Sequence, residues 1–244
     1  MSDESVRQGH AVLDLPSRRL KGEKIEHLLG LPTGRKRDLL EVGTGSGGIA
    51  HYFAREARGD FSVTAVDVTD SRLVRDGFAF ERIDSTTLPF AAETFDVVVT
   101  NHVIEHVGDR VAQKHHLQEI ARVLRPGGQV YLAVPNRWMV VEPHYRLAFL
   151  SWLPRSMRSS YLRLSGRGSH YDCEPLTQPE VEDLAREAGF AFRNVSVEAI
   201  HAMVDIEKTG GAAVWLVKHA PRAVLRKLVW LIPTHIYLLS QRDR

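Results

Sequence analysis

Apolar residues in this chain fall in short runs that alternate with segments of helical spacing. Leu39-Leu40-Glu41-Val42 is such a run, and a glycine-rich turn closes it. Ile49, Ala50, Phe53, Ala54 and Ala57 then recur at the spacing of a helix that buries one face. Ser62 to Val68 alternates into a second strand centred on Val63-Thr64-Ala65-Val66-Asp67, and Phe80-Glu81-Arg82-Ile83-Asp84 is a third. Phe95-Asp96-Val97-Val98-Val99-Thr100 is almost wholly apolar, as a parallel strand covered on both faces should be. Leu117, Ile120, Ala121 and Leu124 mark the next helix, which Pro126-Gly127-Gly128 stops before a fifth strand from Gln129 to Val134. Residues 177–190 give the clearest helix. Thr177 caps it, Glu180 completes a capping box, Val181, Leu184, Ala185 and Ala188 line one face, and Gly189 ends it. Phe190 to Ala199 reads as a sixth strand and His235 to Leu239 as the last. Near the N-terminus, Lys24 to Leu29 predicts a short helix ended by Gly30 and Pro32. Strands alternating with helices predict an α/β fold built on a doubly wound, mostly parallel sheet.

The turn Gly43-Thr44-Gly45-Ser46-Gly47-Gly48 organises the rest. Glycines there let the backbone take positive φ and approach a ligand where a Cβ would clash. The helix that follows offers free N–H groups at its N-terminus. A nucleotide or nucleoside site is expected here, in one of two forms. Gly43, Gly45 and Gly48 satisfy the dinucleotide pattern G-x-G-x-x-G, whereas Glu41, Gly43, Gly45 and Gly47 spell E-x-G-x-G-x-G. Asp67, at the carboxyl end of the second strand, can accept both ribose hydroxyls of a nucleoside. The link from Asp67 to the third strand is shorter than a full crossover helix needs, so one wall of the cleft should be thin.

Composition narrows the class. With 244 residues, 43% hydrophobic and 25% charged, the chain reads as one domain, 1–244, with insertions. A net charge of +2 does not argue for nucleic acid. A single cysteine, Cys173, excludes an internal disulfide, fits a reducing compartment and reads as an ordinary, partly buried thiol. The polar, acidic start from Met1 to Ser5 does not read as a signal peptide, and no apolar run approaches a membrane span. A cytoplasmic protein is expected.

Four blocks in order resemble class I S-adenosylmethionine (SAM)-dependent methyltransferases over residues 38–136. They are Glu41 to Gly47; Val66-Asp67; Asp84-Ser85-Thr86-Thr87-Leu88-Pro89-Phe90 with Phe95-Asp96-Val97-Val98; and Arg122-Val123-Leu124-Arg125-Pro126-Gly127-Gly128. The dinucleotide reading leaves the last two unexplained. The resemblance is closest to the small-molecule branch that acts on quinones, sugars and lipids. It implies a Rossmann-like, seven-stranded, mostly parallel sheet with a reversed last strand, and SAM as cofactor. Glu41 would serve the methionine amino group. Gly43, Thr44, Gly45 and Gly47 would line the cofactor, Asp67 would hold the ribose, and Asp84 and Ser85 would meet the adenine. Asn101 and His102 would lie near the sulfonium and the acceptor.

A hydroxyl acceptor needs a base, and two clusters offer one. In His102-Val103-Ile104-Glu105-His106, positions 102, 105 and 106 resemble the Glu-x-x-Glu-His pattern linked to a divalent metal in ubiquinone-biosynthesis O-methyltransferases. Histidine in the first place departs from that pattern and suits magnesium poorly. No metal is expected, and His106 stays a catalytic candidate. The second cluster is Pro135-Asn136-Arg137-Trp138 followed by Glu142-Pro143-His144-Tyr145-Arg146, in which His144 can take a proton and Glu142 can orient it. A packed loop with a surface histidine is the competing reading.

Residues 137–176 and about 208–233 exceed ordinary connections and are expected to be helical insertions forming a lid. The first interleaves Phe149, Leu150, Trp152, Leu153, Met157, Tyr161 and Leu162 with Arg146, Arg155, Arg158, Arg163 and Arg167. In the second, Val224, Leu225, Leu228, Val229 and Ile232 make an apolar stripe beside Arg222, Arg226 and Lys227. Either the two pieces pack together with solvated arginines, or they form a basic amphipathic surface for the inner face of a membrane or a lipid-linked acceptor. The expected function is methylation of a small-molecule or glycan hydroxyl. A quinone or lipid acceptor is the first alternative and a non-catalytic SAM-fold partner protein the second. No Asn/Asp-Pro-Pro-Tyr motif for flipped bases occurs, so no nucleic-acid partner is expected.

Overall fold

The computed structural model describes residues 14–207, 219–227 and 229–242. Of the second insertion, residues 208–218 and Leu228, with the side chains of Arg222, Arg226 and Lys227, lie outside the described residues, as does Met1 to Ser5.

The chain runs α1 (Leu15–Leu29), β1 (Lys36–Val42), α2 (Gly48–Arg55), β2 (Asp60–Asp67), β3 (Ala79–Arg82), β4 (Phe95–Asn101), α3 (Arg110–Val123) and β5 (Leu124–Pro135). It continues with β6 (Val141–Glu142), β7 (Leu147–Ala148), α4 (Arg155–Leu164), α5 (Gln178–Glu187), β8 (Phe190–Asn194), α6 (Ser196–Ile206), α7 (Arg222–Lys227) and β9 (Thr234–Gln241). Seven strands form one sheet in the order β3-β2-β1-β4-β5-β9-β8. Only β9 runs antiparallel to its neighbours, β5 and β8. From β1 the chain winds outward through β2 and β3, then returns to place β4 on the other side of β1. That reversal opens a crevice at the carboxyl ends of β1 and β4, where open α/β sheets bind ligands.

Both faces of the sheet are covered, which is why its central strands read as nearly continuous apolar runs. Leu40, Val42, Val98 and Leu132 face Leu117 and Ile120 of α3 and Val181 and Leu184 of α5. The alternate residues Leu39, Val97, Val99 and Tyr131 face Ile25 and Leu28 of α1, Ile49 and Phe53 of α2, and Ala199 of α6. Among the described residues, no helix is long and apolar enough to cross a membrane.

Several element boundaries differ from the pattern-based expectation. The first helix is not confined to Lys24–Leu29 but begins at Leu15, with proline in its first turn, where the missing N–H costs nothing. Its buried Lys24 pairs with Glu207 at 2.6 Å, a long-range contact that periodicity cannot reveal. The fifth strand begins at Leu124, so Pro126-Gly127-Gly128 lies within it rather than before it; a register irregularity between Phe95 and Val97 accommodates the offset. The sixth strand ends at Asn194, not Ala199. There the Asn194 side-chain oxygen accepts the Ser196 N–H at 3.0 Å and turns the chain into α6. The insertion at 137–176 is not purely helical. It holds the β6–β7 hairpin and α4 around a small core of Tyr145, Leu147, Leu150, Leu162, Tyr171 and Cys173. Its arginines are not all solvated: Arg158 is buried and donates to the Leu153 and Ser151 carbonyls.

Candidate active site

The glycine turn sits at the switch point, between β1 and α2. Gly43, Gly45 and Gly47 take φ of 81°, 54° and 82°, values that favour glycine. Space is as restrictive as conformation. A Cβ on Gly43 would stand 2.3 Å from Val103 Cγ2, and one on Gly47 would stand 2.5 Å from the Val74 carbonyl oxygen. Val74 belongs to the link between β2 and β3, which forms no helix and folds back so that the Leu73 N–H reaches the Ser46 carbonyl at 2.9 Å. The thin wall expected from its length is therefore a loop pressed onto the turn.

The turn is tied to the end of β2. Gly43 N–H donates to the Val66 carbonyl at 2.9 Å, and Thr44 adds its hydroxyl to the same oxygen at 3.2 Å. Asp67 Oδ2 accepts the Gly45 N–H at 2.9 Å, while Oδ1 accepts the Thr69 N–H at 3.2 Å. Asp84 and Ser85 lie just past β3, whose end is joined to β2 by the Ile83 N–H to the Asp67 carbonyl at 3.0 Å. Both are exposed, and Ser85 Oγ accepts the Thr87 N–H of its own turn.

Among the described residues, Glu41 Oε2, Ser46 Oγ and Asn101 Oδ1 around the turn are buried without a hydrogen-bond partner. Unpaired buried polar atoms are costly and call for a partner such as a water, an ion or a ligand. Glu41 is 2% exposed, and burial holds its carboxyl well above the usual range. Asp67 adds to that rise; the Ala50 N–H and the Arg18 charge act against it. Arg18, on α1, is a residue that motif reading missed. Its side chain packs over Gly48, its Nε is buried without a partner among the described residues, and burial lowers its pKa. The acids Glu41 and Asp67, the Arg18 guanidinium and the orphaned oxygens fit an amino-acid-bearing nucleoside such as SAM. His102 follows at φ 59°, a left-handed conformation uncommon for a non-glycine residue, held by its N–H to the Ala133 carbonyl at 3.0 Å. Its Nδ1 is 3.4 Å from Glu105 Oε1.

On the acceptor side the structure joins what the sequence left as two clusters. The rings of His106 and His144 meet edge to face, centroids 5.4 Å apart. His144 Nδ1 hydrogen-bonds Glu142 Oε1 at 2.6 Å, and Glu142 Oε2 accepts the Tyr145 N–H at 2.8 Å. Glu142 is 1% exposed, so its orientation is set by the hairpin. Burial works to lower the His144 pKa, but the bond and charge of Glu142, with Glu105 and Asp172 beyond, outweigh it and raise it. The surface-histidine reading does not describe this half-buried, carboxylate-paired ring.

Two further residues complete the cluster. Cys173 Sγ lies 3.7 Å from His106 Nδ1 and 3.7 Å from Asp172 Oδ1. The Tyr145 hydroxyl reaches Asp172 Oδ1 at 3.4 Å. Burial pushes the Cys173 thiol far up, which keeps it protonated. The segment is held by the Glu174 N–H to the Glu105 carbonyl at 2.8 Å and by Gln113 Nε2, shared between the Ile104 and Glu174 carbonyls. Asp172 and Cys173 lie far from any motif, and only the charged-aromatic run Tyr171-Asp172-Cys173-Glu174 hinted at them.

A family model described as a methyltransferase domain matches residues 40–132. The ubiquinone/menaquinone biosynthesis C-methyltransferase UbiE of Roseobacter denitrificans is 30% identical over 210 residues, covering 76% of this chain and 79% of that protein. The ubiquinone biosynthesis O-methyltransferase of Parvibaculum lavamentivorans is 28% identical over 178 residues, 68% of this chain; the chain spans only 63% of that relative's length. Among solved structures, the [4+2]-cyclase SpnF superposes with a TM-score of 0.56 at 18% identity, covering 98% of this chain and 85% of that one, a likeness of fold alone. With the crevice, the seven-stranded sheet and the Roseobacter relative, matched over 76% of this chain and 79% of that protein, the chain belongs to the class I SAM-dependent methyltransferases.

Proposed function

We propose that this protein methylates a hydroxyl of a small-molecule or glycan acceptor, with the Glu142–His144 pair taking the acceptor's proton. The observation that carries the reading is the 2.6 Å bond between His144 Nδ1 and Glu142 Oε1 beside the His106 ring. With its Nδ1–H given to Glu142, the imidazole keeps a lone pair on Nε2 for the hydroxyl proton. Glu142 then sits against the imidazolium that forms, as the orienting carboxylate does in other histidine-base sites.

SAM supplies a methyl group already activated by its sulfonium. The protein's part is to hold and align. Asp67 takes the ribose hydroxyls, Glu41 the amino group, Arg18 the carboxylate, and Asp84 with Ser85 the adenine edge, while Asn101 and His102 border the reacting centre. Orientation of this kind is worth roughly 7–11 kcal/mol of a barrier. The test is transfer of an isotope-labelled methyl group from SAM to a panel of sugars, phenols and quinols by wild type and His144→Ala. Labelled O-methyl product made by the wild type and lost in the variant supports the reading. C- or N-methyl product, or an unchanged variant, refutes it.

A quinone or lipid-linked acceptor is the second reading, and one observation favours it. Trp138, Phe149 and Trp152 form an exposed aromatic array on the insertion, with Trp152 5.5 Å from Trp138 and 5.1 Å from Phe149. Exposed Val140 and Val141 adjoin it in the chain. Large amphipathic rings suit a membrane–water boundary. This reading predicts cosedimentation with anionic liposomes that Trp138→Ser and Trp152→Ser together abolish. No sedimentation at low salt would remove it.

A further inference from the structure

We propose that His106, Asp172 and Cys173 form a binding site for a zinc ion, with Glu105 behind His106 as its carboxylate support. The proposal goes beyond the acceptor chemistry and does not rest on it.

The donor set is specific. One ligand atom from each of His106, Asp172 and Cys173 lies within 4.8 Å of the other two, and two of the three separations are 3.7 Å. Ligand atoms on a tetrahedral zinc stand roughly 3.3–3.8 Å apart, given bonds of about 2.0–2.3 Å. A soft thiolate, an imidazole and a carboxylate together suit zinc and disfavour magnesium and calcium, which take oxygen ligands. Three protein ligands leave a fourth position for water or an acceptor oxygen.

The surroundings are those of a metal site rather than of a chance contact. His106 presents Nδ1 to the thiol, and its Nε2 is 3.8 Å from Glu105 Oε1. Glu105 is fully buried, and its Oε1 faces both His102 Nδ1, at 3.4 Å, and His106 Nε2. A carboxylate behind the remote nitrogen of a histidine is the arrangement that orients metal-ligating imidazoles and strengthens them as ligands. The backbone bond from Glu174 to Glu105 holds together two segments far apart in sequence. Ligand atoms of Glu142 and His144 lie within 4.8 Å of the same sulfur. A zinc site departs from the expectation of no metal, and its donors are not the His102, Glu105 and His106 set of the resembling motif. Here Glu105 supports and Asp172 and Cys173 ligate. On binding, the Cys173 thiol loses its proton to solvent and sulfur bonds the metal.

The experiment uses the full-length protein, free of any affinity tag and stripped by a chelator, then titrated with zinc against a chromophoric competitor and with cobalt(II) by absorption. The expected result is one zinc per chain and a cobalt spectrum with a thiolate charge-transfer band in the near ultraviolet. Cys173→Ser should abolish that band, and Glu105→Gln should weaken zinc binding about 10–100-fold. Binding of S-adenosylhomocysteine and circular dichroism verify that each variant is folded. Because a variant can fail to fold, a second measurement uses wild type only: stoichiometric zinc should raise its thermal midpoint, and a chelator should reverse the rise. Substoichiometric zinc, a cobalt spectrum without the charge-transfer band, or a midpoint unmoved by zinc would each overturn the proposal. None of these readouts involves methyl transfer, so they stand whether or not the acceptor reading does.

Discussion

Asp67 Oδ2 accepts the Gly45 N–H at 2.9 Å, so the acid at the end of β2 is fastened to the turn at the end of β1. A strand end and a turn thus share one frame. The acid is placed by the same backbone that the glycines shape.

That frame tolerates no side chain at Gly43. The residue needs φ of 81°, and a Cβ would meet Val103 Cγ2 at 2.3 Å. Gly43→Ala is expected to cost about 1–3 kcal/mol of stability, the usual cost of a strained backbone position. Urea unfolding checks it, and S-adenosylhomocysteine affinity should fall with it.

The Glu142–His144 pair makes a kinetic prediction. His144→Ala should lower turnover about 10²–10⁴-fold, the range for loss of a general base. Glu142→Gln should keep the ring in place but weaken the imidazolium, giving a smaller loss. Binding of S-adenosylhomocysteine by calorimetry should be unchanged in both, since neither residue lies on the glycine-turn side.

Asp96 predicts an acid limb in stability. It accepts the Asp38 N–H at 2.9 Å and pairs with Arg125 at 2.8 Å and with Arg35. Burial alone would raise its pKa, but these partners outweigh it and lower it. A folded pKa below the unfolded one stabilises the protein above the unfolded value, and that contribution is lost as pH falls through the folded value. Asp96→Asn should therefore destabilise at neutral pH by about 1.5–3 kcal/mol. The gap from wild type should close as the pH is taken down through the carboxylate range, read from thermal melts across pH.

The α5 capping box should behave as its local chemistry dictates. The Thr177 N–H and hydroxyl both donate to Glu180 Oε2, at 2.8 and 2.7 Å. Thr177→Ala is expected to cost about 0.5–2 kcal/mol, measurable by denaturant midpoint with unchanged slope.

The most legible parts of this chain were those where local chemistry decides structure. The glycine turn, Asp67, the helix-free link after it and the Thr177–Glu180 box each rest on residues close in sequence. Where long-range contacts decide, pattern reading fell short. The first half of α1 has no clean apolar stripe, so Arg18 and its place over Gly48 were invisible. Asn194 carries no sign in periodicity that it will turn the chain into α6. Cys173 is a buried thiol, as its sequence context suggested, but its nearness to His106 was not legible, because that residue comes from a distant part of the chain past β4. His106 and His144 were both legible as candidates, but their meeting was not, since it depends on how residues 137–176 fold back over the strand ends.

The central claim is that the glycine turn and Asp67 bind SAM's nucleoside. Calorimetric titration of wild type and Asp67→Ala with S-adenosylhomocysteine, with NAD in parallel, tests it most directly. The account predicts binding to wild type near the micromolar range, weakened at least tenfold (about 1.4 kcal/mol) in the variant, and no heat from NAD. Equal affinity in both proteins, or binding of NAD in place of S-adenosylhomocysteine, would contradict it.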